Sequence, residues 1–147
     1  MSYADQYKAA RAKIVSHIST AWSPARQQYG TVEILATETL LPASSILKEP
    51  GTELGPQSPT INEALERLMV AGVWARPENE NLEDFVLDRF EELRTLLDTD
   101  NHLTNTVTEC RVSSWDYDIP SGVDPNSKRV YVYLTVNLEM PYNRDGS

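Results

Sequence analysis

One cysteine, Cys110, stands in 147 residues, so the chain can form no internal disulfide, and that count fits a reducing compartment. Long apolar runs are missing too. No stretch approaches the ~20 apolar residues that span a bilayer, and Asp5, Lys8, Arg11 and Lys13 occupy the region where a secretory leader would need its apolar segment. A soluble protein that works where it is made is expected, with no membrane partner. Basic residues are scarce: thirteen Lys and Arg face twenty-two Asp and Glu, a net charge of −9. Such a surface repels phosphate and disfavours general nucleic-acid binding. A glycine-rich phosphate loop, a paired-cysteine zinc pattern and a paired-carboxylate helix motif are also absent, so no cofactor and no metal is expected.

What is present is ordinary globular composition, 40% apolar and 24% charged. It points to a single domain over residues 1–147, which at this length buries roughly 68–70% of its unfolded surface. The charge is unevenly placed. Met1 to Gly30 holds Lys8, Arg11, Lys13 and Arg26 against Asp5, net +3, which leaves −12 for Thr31 to Ser147. That polarity would suit head-to-tail contacts between copies, although a solvated helix face is the favoured reading of four scattered cations.

Hydrophobic spacing divides the chain into elements. Tyr7, Ala10, Ile14, Val15, Ile18 and Trp22 recur at helical intervals, predicting an amphipathic helix over Tyr3 to Trp22 that Ser23 and Pro24 terminate. Thr31 to Thr37 is rich in β-branched residues and reads as a strand. Pro42 to Pro59 holds four prolines with Gly51 and Gly55 and reads as a long loop, an arm or a tolerated insertion. Ile61 to Ala75 is ambiguous, since Ile61, Ala64, Leu65, Leu68 and Met69 fit a helix while Leu68, Val70, Gly72 and Trp74 fit a strand. Gly72 weighs against a continuous helix by about 1 kcal/mol.

Asn81 has the character of an N-cap for a second helix, Leu82 to Leu97, with Asp84 in its first turn and Glu83, Asp88, Glu91, Glu92 and Arg94 on its polar side. Asn105 to Tyr117 alternates, placing Val107, Glu109, Arg111, Ser113, Trp115 and Tyr117 on one side and Thr108, Cys110 and Val112 on the other. Lys128 to Met140 alternates best, with Val130, Val132, Leu134, Val136, Leu138 and Met140 against Arg129, Tyr131, Tyr133, Thr135, Asn137 and Glu139. The Pro-, Gly- and Asp-rich stretch Asp118 to Ser127 joins these two as an antiparallel hairpin. The expected class is α+β, a mostly antiparallel sheet packed against two amphipathic helices, followed by a short tail over residues 141–147.

No residue set points to catalysis. His17 and His102 lie in no catalytic motif, and Cys110, beside Val112, reads as a packed thiol rather than a nucleophile. Asp98, Asp100, His102 and Glu109 match positions of a calcium-loop register. Leu103, however, stands where that loop needs glycine, and a strand follows where it needs a helix, so an acidic helix-terminating turn is the favoured reading.

The half of the chain from Leu65 to Met140 resembles the tail terminator proteins of long-tailed, lambdoid-type bacteriophages. The residues that carry the resemblance are a strand ending near a proline (Met69 to Pro77), a polar bridge into the helix Leu82 to Leu97, a strand closing on Trp115-Asp116-Tyr117-Asp118, and a final strand Val130 to Val136 finishing Leu138-Glu139-Met140. The resemblance implies a strand over Leu65 to Ala75. It also implies a structural, non-enzymatic virion protein of the tail or neck, assembled in the host cytoplasm. Such proteins form a hexameric ring that binds the last ring of tail-tube subunits, stops tube polymerisation and offers a docking face to the head-tail connector, with DNA only as cargo. Candidate subunit or partner contacts are Trp115, Tyr131 and Tyr133, with Ile46, Leu47 and Leu54 from the loop. Two rivals are a head-tail joining or tail-completion protein of the same neck region, and a small acidic enzyme or ligand-binding domain with a cleft beside the loop 42–59.

Overall fold

In the computed structural model, which describes residues 3–31, 41–49, 53–54, 63–75, 77, 81–104, 107, 109–118 and 131–143, the first helix forms over Tyr3–Trp22 as α1. It stops where expected. Ser23 takes a left-handed conformation (φ 45°) and returns its N–H to the Ser19 carbonyl at 3.0 Å, with Pro24 next. The second helix, α2, covers Leu82–Thr99, and the Asn81 side chain accepts from the Glu83 and Asp84 N–H groups at 3.0 and 3.2 Å as its N-cap.

Among the described residues six strands make one sheet: β1 (Arg26–Tyr29), β2 (Ala43–Lys48), β3 (Glu53–Leu54), β4 (Glu63–Ala75), β5 (Arg111–Asp118) and β6 (Tyr131–Asn143). Their order is β1-β2-β4-β6-β5, with β3 also pairing β4. Only the β1/β2 pair is parallel, and β5 and β6 are the expected antiparallel neighbours. The class is therefore α+β with a mostly antiparallel sheet.

Both helices lie on one face of that sheet. Leu68, Val70 and Trp74 of β4 stand opposite Leu138, Val136 and Val132 of β6, and these join Ile14 and Ile18 of α1 and Phe90, Leu93 and Leu97 of α2 in one core. The even-numbered positions Val132 to Met140 are all buried, as the alternation requires. Burial of each such side chain contributes about 1.5–3 kcal/mol, which is why the period-2 pattern fixes the face so firmly.

Three expectations are corrected, and the ambiguity over Ile61 to Ala75 is resolved. Pro42 to Pro59 is not simply a loop, because Ala43–Lys48 is a strand between β1 and β4 with Ala43, Ser44, Ser45 and Ile46 all buried. Its serines look solvent-facing in sequence, yet the Ser44 hydroxyl donates to Gln27 Oε1 and the Ser45 hydroxyl to the Thr31 carbonyl, which satisfies both inside the fold. The segment around Ile61 to Ala75 is strand, not helix, from Glu63 onward: thirteen register pairs with β6 and six with β2 outweigh its helical propensity. The closing strand runs past Met140 to Asn143, so the tail begins later than residue 141. Pro141 is accommodated there because its missing N–H falls on the side where β5 has already ended, and its carbonyl on that side still accepts from the Glu109 N–H at 3.3 Å.

The last correction concerns β5. A bulge between Val112 and Ser114 shifts the register, so that Val112 stands opposite Leu138 and Trp115 opposite Val136. The extra residue moves Trp115 and Tyr117 to the helix side with Val112, where strict alternation had separated them. The strand expected at Thr31 to Thr37 lies, after Thr31, outside the described residues.

Candidate interaction surface

The sheet's second face has no helix on it among the described residues. From β4 it presents Leu65, Arg67, Met69, Ala71, Val73 and Ala75, and from β6 Tyr131, Tyr133, Thr135, Asn137, Glu139 and Pro141, each opposite its partner in that order reversed. The face is graded. Toward β2 it is closed, with Ala43, Ser45, Ala71 and Val73 buried. Toward β6 and β5 it opens: Tyr131, Tyr133 and Thr135 are half-buried, and Asp116 and Asp118 of β5 are exposed. One end carries a ladder of alternating charge, in which Arg111 reaches Glu109 at 3.3 Å and Glu139 at 3.1 Å, and Arg67 approaches Glu139 at 3.8 Å. These pairs are largely solvated and contribute little to stability, while keeping that end of the face wet. Apolar tyrosines beside a polar rim are the composition of a protein contact.

The six candidate contact residues separate in the structure. Tyr131 and Tyr133 share the open face, and Leu47, half-buried, projects to that same face because Ile46 and Lys48 project to the other. Trp115 does not belong with them. It stacks on Phe90 of α2 with ring centroids 4.3 Å apart and planes 11° from parallel, packed against the core. Ile46 is a core residue, 1% exposed, opposite Val70. Leu54 sits in β3 opposite Ala64; its side chain lies outside what is described.

Sequence reasoning also missed a buried ion pair. Glu66 lies on the helix side of β4, wholly buried, opposite Met140, and Lys48 Nζ reaches its Oε2 at 3.2 Å. Tyr7 and Arg11 of α1 stand over this pair, and burial pushes the Tyr7 phenol up while Arg11 pulls it back. The only sequence signal was Glu66 at a position of the apolar period. The arrangement joins β2 to β4 under α1.

The remaining chemical candidates are accounted for by packing. Cys110 precedes β5 and is buried, and desolvation first, then Asp100 and Glu109, pushes its thiol up to about 12. Asp100 is the C-cap of α2. Its carboxylate accepts from Thr104 N–H and meets His17 Nε2 at 2.8 Å, which holds the carboxyl below its usual range. Leu103, the residue that displaces the calcium-loop glycine, adopts φ 45° and buries its side chain completely. Among the described residues no three His, Cys, Asp or Glu side chains converge on a metal position, and no helix is long and apolar enough to cross a membrane. An open groove of about 640 Å³ lies between α1 and α2, lined by residues including Ala21, Asp88, Arg89, Glu92 and Leu96, with no His or Cys. Comparison with protein-family models and with curated proteins gives no match.

Proposed function

We propose that this chain is a structural component of a phage virion, a tail-terminator-like protein that closes into a ring on the last ring of tail-tube subunits. On this reading it arrests tube growth and presents a docking face to the head-tail connector. The observation that supports it best is the two-sidedness of β6. Val132, Leu134, Val136, Leu138 and Met140 are sealed beneath α1 and α2, while Tyr131 and Tyr133 remain on a face without a helix among the described residues. An antiparallel sheet that packs one face on its own core leaves the other to solvent or to a partner, and a half-buried tyrosine pair beside a polar rim suits a partner. The order of elements, a long strand into a capped helix and then a hairpin, agrees with the residues on which the resemblance rests.

Physically, a ring needs a heterologous contact whose rotation closes, each copy offering one surface to its neighbour and a different one to the next. The tube and connector then meet the assembled ring, with the tyrosine face desolvated only in the complete particle. DNA is cargo: the net charge of −9 lets it pass without adhering.

The test is arrest of purified tail tubes by Tyr133→Asp and, as its control, Leu134→Asp. The first places a charge on the open face and keeps the fold, so capping falls by roughly tenfold or more with an unchanged melting transition. The second buries a charge and unfolds the domain. Normal capping by Tyr133→Asp refutes the tyrosine face as the contact. A chain that binds filled heads and ignores tubes belongs instead to the neighbouring head-tail joining or completion class.

A further inference from the structure

The charge asymmetry of the sequence becomes a lateral polarity in the fold. α1 lies over the β1 side of the sheet, where Arg11 sits 5.5 Å from the Tyr29 ring, and α2 lies over the β5 side, where Phe90 stacks on Trp115. The residues of α1 and β1 carry net +3, with Lys8 and Lys13 exposed. Those of α2 carry six carboxylates against Arg89 and Arg94, and β5 carries Asp116 and Asp118 against Arg111, together net −5.

A second and independent feature falls on the same two ends. Three large hydrophobic residues are exposed among those described: Tyr29, 54% exposed, at the end of β1; Leu87, 37%, on α2; and Tyr117, 38%, on β5. Tyr29 is flanked by the Arg11 guanidinium, whereas Tyr117, stacked on Trp115 at 6.0 Å between centroids on the helix side, shares the β5 edge with Asp116 and Asp118, which project to the opposite face. Each end of the described sheet thus offers an exposed aromatic ring on an edge that also carries charge, and the signs are opposite.

We infer that a second copy of this chain docks edge to edge, the Lys8-Arg11-Tyr29 end of one copy against the Asp116-Tyr117-Asp118 end of the next. This rests on the ring reading and supplies its subunit contact. Like ends repel, since two β5 ends would oppose their own aspartates and two β1 ends their own cations, so the contact is heterologous and propagates in one direction. Aromatic and arginine anchors provide the affinity, and the charges select which end is met. The tyrosine face of β4 and β6 stays available to the tube and connector.

The experiment measures native mass of the full chain at low salt and high concentration, alone and with tail tubes, for two variants. One is Lys8→Glu/Tyr29→Asp and the other Asp116→Lys/Asp118→Lys, each with circular dichroism to verify the fold. The inference predicts that wild-type assembly weakens as salt rises and that each variant alone loses assembly by roughly tenfold or more. A mixture of the two recovers assembly as alternating copies, because unaltered ends pair with unaltered ends and charge-reversed ends with charge-reversed ends, and all four changes in one chain recover it in the same way. Wild-type behaviour of either variant, a mixture that stays monomeric, or a wild-type chain monomeric both alone and on tubes overturns the contact. Rings that obey these rules but leave tube growth unaffected preserve the contact and refute the capping role, whereas edge variants that still cap tubes normally do the reverse.

Discussion

Trp22, the last residue of α1, meets Trp74 of β4 edge to face, with ring centroids 4.9 Å apart and planes at 82°. The same Trp22 donates from Nε1 to the Arg89 carbonyl of α2 at 2.8 Å, so one side chain ties both helices and the sheet together. Such an aromatic pair contributes about 0.5–1.5 kcal/mol beyond the area it buries. It also dictates a neighbour: a Cβ on Gly72 would lie 2.4 Å from Trp74 Cη2 and 3.0 Å from Trp22 Cζ3.

Gly72→Ala is therefore expected to destabilise the fold. The gain of ~0.5–1 kcal/mol from removing a flexible strand glycine is smaller than the ~1–3 kcal/mol cost of overpacking the rings. Urea denaturation followed by tryptophan fluorescence reads the loss, with an altered native emission because both rings must shift.

The Lys48–Glu66 pair predicts a non-additive cycle. Lys48→Met leaves Glu66 buried without that cation and costs toward the lower end of ~3–5 kcal/mol, because Lys48 keeps 25% of its side-chain surface. Adding Glu66→Leu recovers most of that loss. Denaturation midpoints of the two singles and the double decide the sign of the coupling.

At the C-terminus of α2, Asp100 makes acid stability measurable. Its carboxyl is held below the ordinary value of 3.8, chiefly by the His17 hydrogen bond and then by the Thr104 N–H. The folded chain thus binds this proton less tightly than the unfolded one, so the contribution is complete above the ordinary value and is lost as pH falls through the lowered one. Asp100→Asn removes that component of the pH dependence below about pH 4, and His17→Gln weakens it, since the Thr104 bond persists. Melting temperatures across acidic pH check both.

Cys110 is expected to resist alkylation in the native state at pH 8, because burial raises its thiol to about 12. Labelling by iodoacetamide, followed by mass, should accelerate with denaturant in step with unfolding. Rapid labelling of the folded chain would contradict the burial.

The helices and β6 were legible because their signals are periodic and local. Asn81 caps where it should, and Val132 to Met140 alternate without interruption. The strands β1 and β2 were not, since Arg-Gln-Gln-Tyr and Ala-Ser-Ser-Ile-Leu-Lys look like turn material until Ser44 and Ser45 find buried acceptors. Ile46 was read as a contact residue for that reason, although a strand between β1 and β4 makes it core. The face of Trp115 is hidden from the sequence for a different reason. Period 2 carries a face only until the count slips, and the bulge before Ser114 has no marker such as glycine in Val112-Ser113-Ser114. Tyr131 and Tyr133 were placed correctly because no bulge interrupts their pairing with β4.

The capping role is tested most directly by electron imaging of growing tail tubes mixed with the purified chain. The account predicts tubes of arrested length, each closed at one end by a six-fold ring whose density requires this chain. Tubes that lengthen unchanged, with no ring at either end, would contradict it.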